Sequence, residues 1–317
     1  MQIIRELKDL PRFSRAAMTI GFFDGFHLGH QKLFKLLSNI SRAGKLKRAV
    51  FTFAEHPLYF LAPERAPAYI SPPYYKEEFL EGQADYLIIP DFTGEIAEMK
   101  PLRFLDWLLE YFGYLELIVG SDFRFGHKNQ GHVGTLEEYA AHRPNLNLHV
   151  VEPALYQHHK VSSTTIRQLI KEGKMKEVSF LLRRDFFVEN EVLHGEGLGR
   201  QIGFPTANLE VPSWQVIPRF GVYSGYARVG RRDFRALIYV ADNKLAQNKG
   251  QVFVEAFLLD FDEDIYGETI RITFSRWHRA PFKIESLTEL RSMLAQDLTW
   301  LEKEGYGNNE SEYKKNK

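Results

Sequence analysis

Two histidines, His27 and His30, stand three residues apart in the run GFFDGFHLGH over residues 21–30. Their spacing lets both imidazoles point into the same space. Gly21, Gly25 and Gly29 give the backbone freedom and let a ligand approach the main chain. Phe22, Phe23 and Asp24 complete the same turn. An apolar run over 17–20 precedes it and a helical pattern over 31–37 follows it, so the stretch reads as strand, tight turn and helix start. Free N–H groups and the positive dipole end at a helix start suit phosphate. A nucleoside triphosphate is the ligand this arrangement suggests. A pair of surface histidines, or half a metal site, is the alternative that these residues alone leave open.

A second set of candidate phosphate ligands lies far downstream. Ser162, Ser163, Thr164 and Thr165 precede Arg167 at the opening of another helix. One hydroxyl caps a helix; four and an arginine exceed that need. Hydroxyls and helix N–H groups bind phosphate oxygens, and a guanidinium clamps them bidentately. Between these sets, His56 follows the apolar run over 47–53, and Asp122, Phe123 and Arg124 follow the one over 115–120. Strand ends of this kind are where an open α/β sheet collects its chemistry.

A third stretch, HGEGLGRQIGFPTAN over 194–208, has another character. Gly197, Gly199 and Gly203 make a glycine-rich loop with Arg200, but without the strand-to-helix setting of a dinucleotide site. Pro205 stiffens the chain, and Thr206 and Asn208 offer oxygens on alternate positions of an extended segment. Two neutral oxygens suit Mg²⁺ that is bound mainly through nucleotide phosphates and water. Glu255 is the acid in the interior of an apolar strand, VFVEAFLLDF over 252–261. It lies either on the wet face of that strand or in a site.

Two kinds of scaffold have to position these residues. Strands over 17–21, 47–53, 85–90, 115–120 and 146–152 alternate with helices over 31–41, 76–82 and 104–111, the sign of a parallel sheet with covering helices. Residues 58–75, rich in proline and aromatics, read as an excursion over the site. From Phe186 onward, short β-rich runs separated by glycine turns predict an all-β barrel, closed by an amphipathic helix over 287–304. The expected division is therefore 1–184, an α/β Rossmann-like domain, then 185–304, the barrel, with 305–317 a disordered tail.

The 317 residues hold 41 Lys+Arg against 41 Asp+Glu, so no global charge drives nucleic-acid binding. There is no cysteine, which excludes disulfides and thiolate zinc sites and fits a reducing cytoplasm. The first residues are charged throughout and do not read as a signal peptide, and no uncharged apolar run approaches the length of a membrane span. The expected protein is cytoplasmic, binds small molecules rather than nucleic acid or membrane, and self-associates at most as a weak homo-oligomer.

The run over 21–30 resembles the H-x-G-H signature of nucleotidyltransferases, most closely that of the N-terminal module of bacterial bifunctional riboflavin kinase/FAD synthetases. Thr52, Phe53, His56 and Pro57 match a T-F-x-x-H-P segment of that family, residues 120–126 its G-x-D-F-x-F-G segment, and residues 162–167 its S-S-T-x-I-R motif. The stretch 194–208 resembles the G-x-G-x-G-R-x-x-G-F-P-T-A-N signature of riboflavin kinases. The resemblance implies a kinase in the barrel, which phosphorylates riboflavin to FMN, and an adenylyltransferase in the α/β domain, which joins FMN to ATP and releases FAD and pyrophosphate. It implies ATP contacts for the turn around His27 and for 162–167, an FMN pocket at His56 and 122–124, and a catalytic base at Glu255. It further implies nucleotide contacts at Gly221 and Tyr223 and flavin contacts at Arg279 and Lys283. The chain departs from the family at Phe22, Glu55, Phe257 and Pro281, and 241–250 lacks a G-x-x-P-T-F turn.

Overall fold

The structure, a computed structural model, describes residues 1–195, 198–242, 251–282 and 286–303. Gly197, Lys283, residues 243–250 and the tail over 305–317 lie outside the described residues. The chain divides between Ser163 and Thr164 into two compact units.

The first unit is built on a parallel sheet. Its strands are β1 Gln2–Ile4, β2 Ala16–Ile20, β3 Lys47–Phe51, β4 Tyr86–Ile88, β5 Leu115–Gly120 and β6 Leu146–Val151, in the order β1-β4-β3-β2-β5-β6. Every residue of β2 is buried, as a central strand covered on both faces requires. Alternate side chains feed two cores: Ala16, Met18 and Ile20 enter one, and Ala17 enters the other with Val50 and Ile118. The covering helices include α1 Leu28–Gly44, α2 Tyr75–Leu80, α3 Pro101–Tyr111 and α4 Val133–Ala141.

Edge strand β1 was not expected. It is three residues long with only Ile4 buried, too short for a period to show. Helix α1 starts at Leu28, not near residue 31, which puts His30 in its first turn. Strand β3 stops at Phe51, so Thr52 and Phe53 already belong to the loop at its C-terminal end. The excursion contains a short helix, Pro57–Leu61, and a single 3-10 turn, Pro63–Arg65.

Helix α5 Ser163–Glu172 starts at the division of the units, and α6 Met175–Leu182 packs on the barrel of the second unit. That barrel is antiparallel: β7 Phe186–Glu191, β8 Ala207–Glu210, β9 Gly221–Val229, β10 Arg232–Asp242, β11 Val252–Leu258 and β12 Thr269–Arg279, in the order β7-β12-β9-β10-β11-β8. Its two ends approach each other. Leu193, just beyond β7, bridges Asn208 of β8, and the Asn190 amide donates to the Glu210 carbonyl at 2.9 Å. The barrel is thus nearly closed, which leaves little free strand edge. Helix α7 Leu287–Lys303 packs Leu301 against Val222 and Leu237.

Candidate functional site

The glycine turn of the first unit is strained where it carries the histidines. Phe23 and Phe26 adopt left-handed φ of 58° and 53°, uncommon for bulky residues and held here by burial. His27, with extended backbone (φ −71°, ψ 173°), is the N-cap of α1. A Cβ on Gly29 would stand 3.1 Å from the His27 ring, so glycine is what lets that imidazole lie over the helix start. The His27 and His30 rings are stacked, with centroids 3.7 Å apart and planes at 18°. The ring of Phe23 meets His30 edge-on at 5.3 Å. His30 Nδ1 is shut from solvent and has no hydrogen-bond partner among the described residues. Burial, then the charge of His27 and then that of Lys76, hold the His30 pKa well below the usual imidazole value. His30 is therefore neutral at pH 7 in the structure as it stands.

Ser163 joins this turn: its hydroxyl donates to the Asp24 carbonyl at 3.1 Å. Ser162 precedes it in the loop, while Thr164 and Arg167 are counted with the second unit. Two residues of the turn also have structural work. The buried Asp24 carboxylate accepts the N–H of Ile70 at 3.0 Å and of Ser71 at 3.4 Å, so it anchors the excursion. A carboxylate is also a poor neighbour for a triphosphate. Gly21 clears its own turn, since a Cβ there would stand 2.7 Å from the Phe23 ring.

A cavity of about 530 Å³ opens at the C-terminal ends of β2, β3 and β5. Its walls are largely aromatic, among them Phe22, Phe53, Phe92, Phe104 and Phe123, with His56, Arg124 and His127 as polar groups. His56 Nδ1 accepts the Leu58 N–H at 3.1 Å, which leaves Nε2 to carry the proton of the neutral ring. The ring of Phe22 meets that of His56 edge-on at 4.6 Å. Phe123 both faces the cavity and stacks on buried Phe125 at 5.5 Å. Asp122 is exposed, is not among the residues lining the cavity, and is paired with Lys160 at 2.5 Å.

Sequence reasoning passed over Lys76 and Tyr69. Lys76 is 6% exposed, its Nζ 2.6 Å from the Phe53 carbonyl and 3.6 Å from the centroid of the Phe22 ring. Burial pushes its pKa down to about 7, against the opposing charges of Asp24 and Glu55. Tyr69 accepts the His56 backbone N–H at 2.9 Å, and burial raises its phenol to about 12. A lysine in a six-residue helix gives no pattern by which burial could be foreseen.

In the second unit, strand β8 turns Ala207 and Leu209 into the core and leaves Asn208 half-buried on the other face. Asn208 stands opposite Glu255 of β11, and Tyr239 of β10 stands opposite Glu255 on its other side. Glu255 thus lies on the non-core face of its strand, and that face is where Asn208 lies. Thr206, Pro205 and Arg200 line a second cavity of about 270 Å³ with Asp262, Asp264 and Tyr266. The glycine loop folds back tightly: a Cβ on Gly199 would stand 2.3 Å from the Phe204 carbonyl oxygen, and Gly203 has φ of 87°. The donor set around Thr206 and Asn208 is oxygen-rich, with Asp262, Glu263 and Asp264 also on the cavity wall and Glu255 opposite Asn208, which fits a hard cation.

Three residues carried over from the resemblance are placed elsewhere. Tyr223 is fully buried; its hydroxyl donates to the Arg219 carbonyl and its ring meets Phe274 edge-on at 5.1 Å. Gly221 is a packing glycine, since a Cβ there would stand 2.1 Å from the Arg279 carbonyl oxygen. Both are buried positions of the barrel. Arg279 makes a bidentate pair with buried Asp297 of α7, at 2.8 and 2.6 Å, so its guanidinium fastens the helix. The departure at Phe257 is accommodated by packing: its ring meets Phe204 at 5.4 Å.

The FAD synthetase family matches residues 10–165 and the riboflavin kinase family residues 182–304. A bifunctional riboflavin kinase/FMN adenylyltransferase of Listeria monocytogenes is 32% identical over 88% of this chain and 89% of its own length. The protein of that name from Haemophilus influenzae is 30% identical over 94% of this chain and 97% of its own. A crystal structure from Streptococcus pneumoniae, described as a macrolide-efflux protein, superposes with a TM-score of 0.84 at 30% identity, over 94% of this chain and 97% of that one. No helix among the described residues is long and apolar enough to cross a membrane. Matched by both family signatures in their order along the chain, and by relatives that align over almost its whole length, this protein belongs to the bifunctional riboflavin kinase/FMN adenylyltransferase family.

Proposed function

We propose that the family's two reactions are divided between residues 1–184 and 185–304. In the first, FMN lies in the aromatic cavity beside His56, Phe123 and Arg124, and its phosphate oxygen attacks the α-phosphorus of ATP. The new P–O bond makes FAD, and the bond that breaks releases pyrophosphate. His27 and His30 donate hydrogen bonds to the phosphates as charge builds, and Ser162 and Ser163 add hydroxyl donors. No covalent intermediate on the protein is needed; positioning and charge stabilisation carry the step. The observation that supports this most is the stack of His27 on His30 at the start of α1, in the unit that holds a 530 Å³ aromatic cavity. A flat apolar ring system is the ligand such a cavity suits.

In the barrel, the ribityl hydroxyl of riboflavin attacks the γ-phosphorus of a second ATP. Glu255 takes or orients the hydroxyl proton, FMN forms and ADP leaves. Thr206 and Asn208 would hold Mg²⁺, which when bound neutralises phosphate charge. Gly199, Gly203 and Arg200 shape the loop against the nucleotide. Both reactions draw on ATP, and a cytoplasmic location is part of the proposal. The test is purified protein with riboflavin, ATP and Mg²⁺, read for FMN and FAD by chromatography with fluorescence. FMN without FAD overturns the reading of the first unit, and no FMN overturns that of the second.

A further inference from the structure

Lys76 is a buried cation for which the steps above have no use. It is the second residue of α2, and its ammonium is surrounded by strand ends of the site. It donates to the carbonyls of Phe53 at 2.6 Å and Ala54 at 3.5 Å, just past β3. It also stands 3.6 Å from the ring centroid of Phe22, just past β2. Phe22 and Phe53 both line the 530 Å³ cavity, and Lys76 does not. One ammonium therefore grips two walls of the cavity from behind. A desolvated cation over an aromatic face is strongly attracted to it, so the ring cannot turn without losing that contact.

We propose that Lys76 is a positioning residue for adenylyl transfer, which fixes Phe22 and the strand end at residues 53–54 as the wall against which the flavin lies. This rests on the reading of the cavity as the FMN pocket. The charged and titratable groups that face Lys76 are Asp24 of the glycine turn, Glu55 of the loop after β3 and His30 of α1. The first two favour its charge, and His30 opposes it. With its pKa pushed down to about 7 by burial, Lys76 loses its proton over the range in which the enzyme is assayed. A neutral amine still donates to the Phe53 carbonyl, but no longer attracts the Phe22 ring as a cation does. The wall is then held less firmly, and FMN binds less well above pH 7 than below it.

The full-length protein is assayed for FAD formation from FMN and ATP between about pH 6 and pH 8.5, with riboflavin phosphorylation by the same preparations as the control for folding. Lys76→Met is expected to raise KM for FMN roughly 2- to 30-fold at low pH, the range of a cation–π contact, with kcat and KM for ATP little changed. It is also expected to lose the rise of that KM through pH 7. Lys76→Arg keeps its charge throughout and should give a KM for FMN that is low and level with pH. The level profile of Lys76→Arg is the readout if Lys76→Met folds poorly, because a role in stability alone would leave the wild-type pH profile in place. Wild-type KM and pH dependence in both variants overturn the proposal. A wild-type protein that makes FMN but no FAD overturns the reading of the cavity, and this proposal with it.

Discussion

Asn208 lies directly across an antiparallel strand pair from Glu255. Residues opposite one another in such a pair project from the same face of the sheet. A proposed magnesium ligand and a proposed base are therefore adjacent, although 47 positions apart in the chain. Removing the amide oxygen takes away a cation ligand and leaves the carboxylate in place. Asn208→Ala is expected to abolish FMN formation from riboflavin while FAD still forms from supplied FMN. Product chromatography checks this, and loss of both products would show that the activities are not divided as proposed.

His27→Ala should give the opposite result. Loss of one preorganised donor to a charged transition state typically costs about 100- to 1000-fold in rate. FAD formation should fall by that factor and FMN formation should stay at the wild-type level. Equal loss of both, read in the same assay, would contradict two separate sites.

Triphosphate binding at the stacked imidazoles should take up protons. His30 is held below the usual imidazole pKa by burial, by His27 and by Lys76, so it is mostly neutral near pH 6.5 before ligand arrives. An anion beside it favours the charged form and raises its pKa. Calorimetry of ATP binding in buffers of different ionisation enthalpy should show net proton uptake that is reduced in His30→Asn. The sign is fixed: release of protons, or no dependence on buffer in the wild type, would mean that His30 does not meet the phosphates. The same depressed pKa means that the unfolded chain binds more protons at His30 than the folded one. Its contribution to stability therefore falls as pH drops below about 6.5.

Asp297→Ala should loosen the barrel rather than alter its chemistry directly. It leaves the half-buried Arg279 guanidinium without the carboxylate that takes two of its donors. Breaking a buried pair from one side costs about 3 kcal/mol or more. Denaturant unfolding of the variant should show that loss, and Asp297→Asn, which keeps an acceptor, should lose less. If both match the wild type, the pair does not fasten α7.

Much of this protein is written locally. The apolar runs that became β2, β5 and β9, the hydroxyl-rich start of α5, the glycines that admit the His27 ring and the alternation that puts Thr206 and Asn208 on one side of their segment all follow from neighbours in the chain. So does the change from a parallel to an antiparallel pattern, because turn chemistry and hydrophobic period act over a few residues. What local pattern could not decide is which groups meet. Glu255 by its own strand reads more readily as a wet-face acid than as a site acid, and only the pairing of β8 with β11 puts Asn208 opposite it. Arg279 reads as a flavin contact until α7 brings Asp297 to it, and Tyr223 as a ligand contact until the barrel closes over it. Asp24 reads as part of a phosphate loop until residues 70–71 fold back onto its carboxylate. Lys76 carried no signal at all, since its burial depends on two strand ends that approach from elsewhere. Periodicity and turn residues encode elements, whereas the partner of a charge is settled only when distant elements exclude water around it.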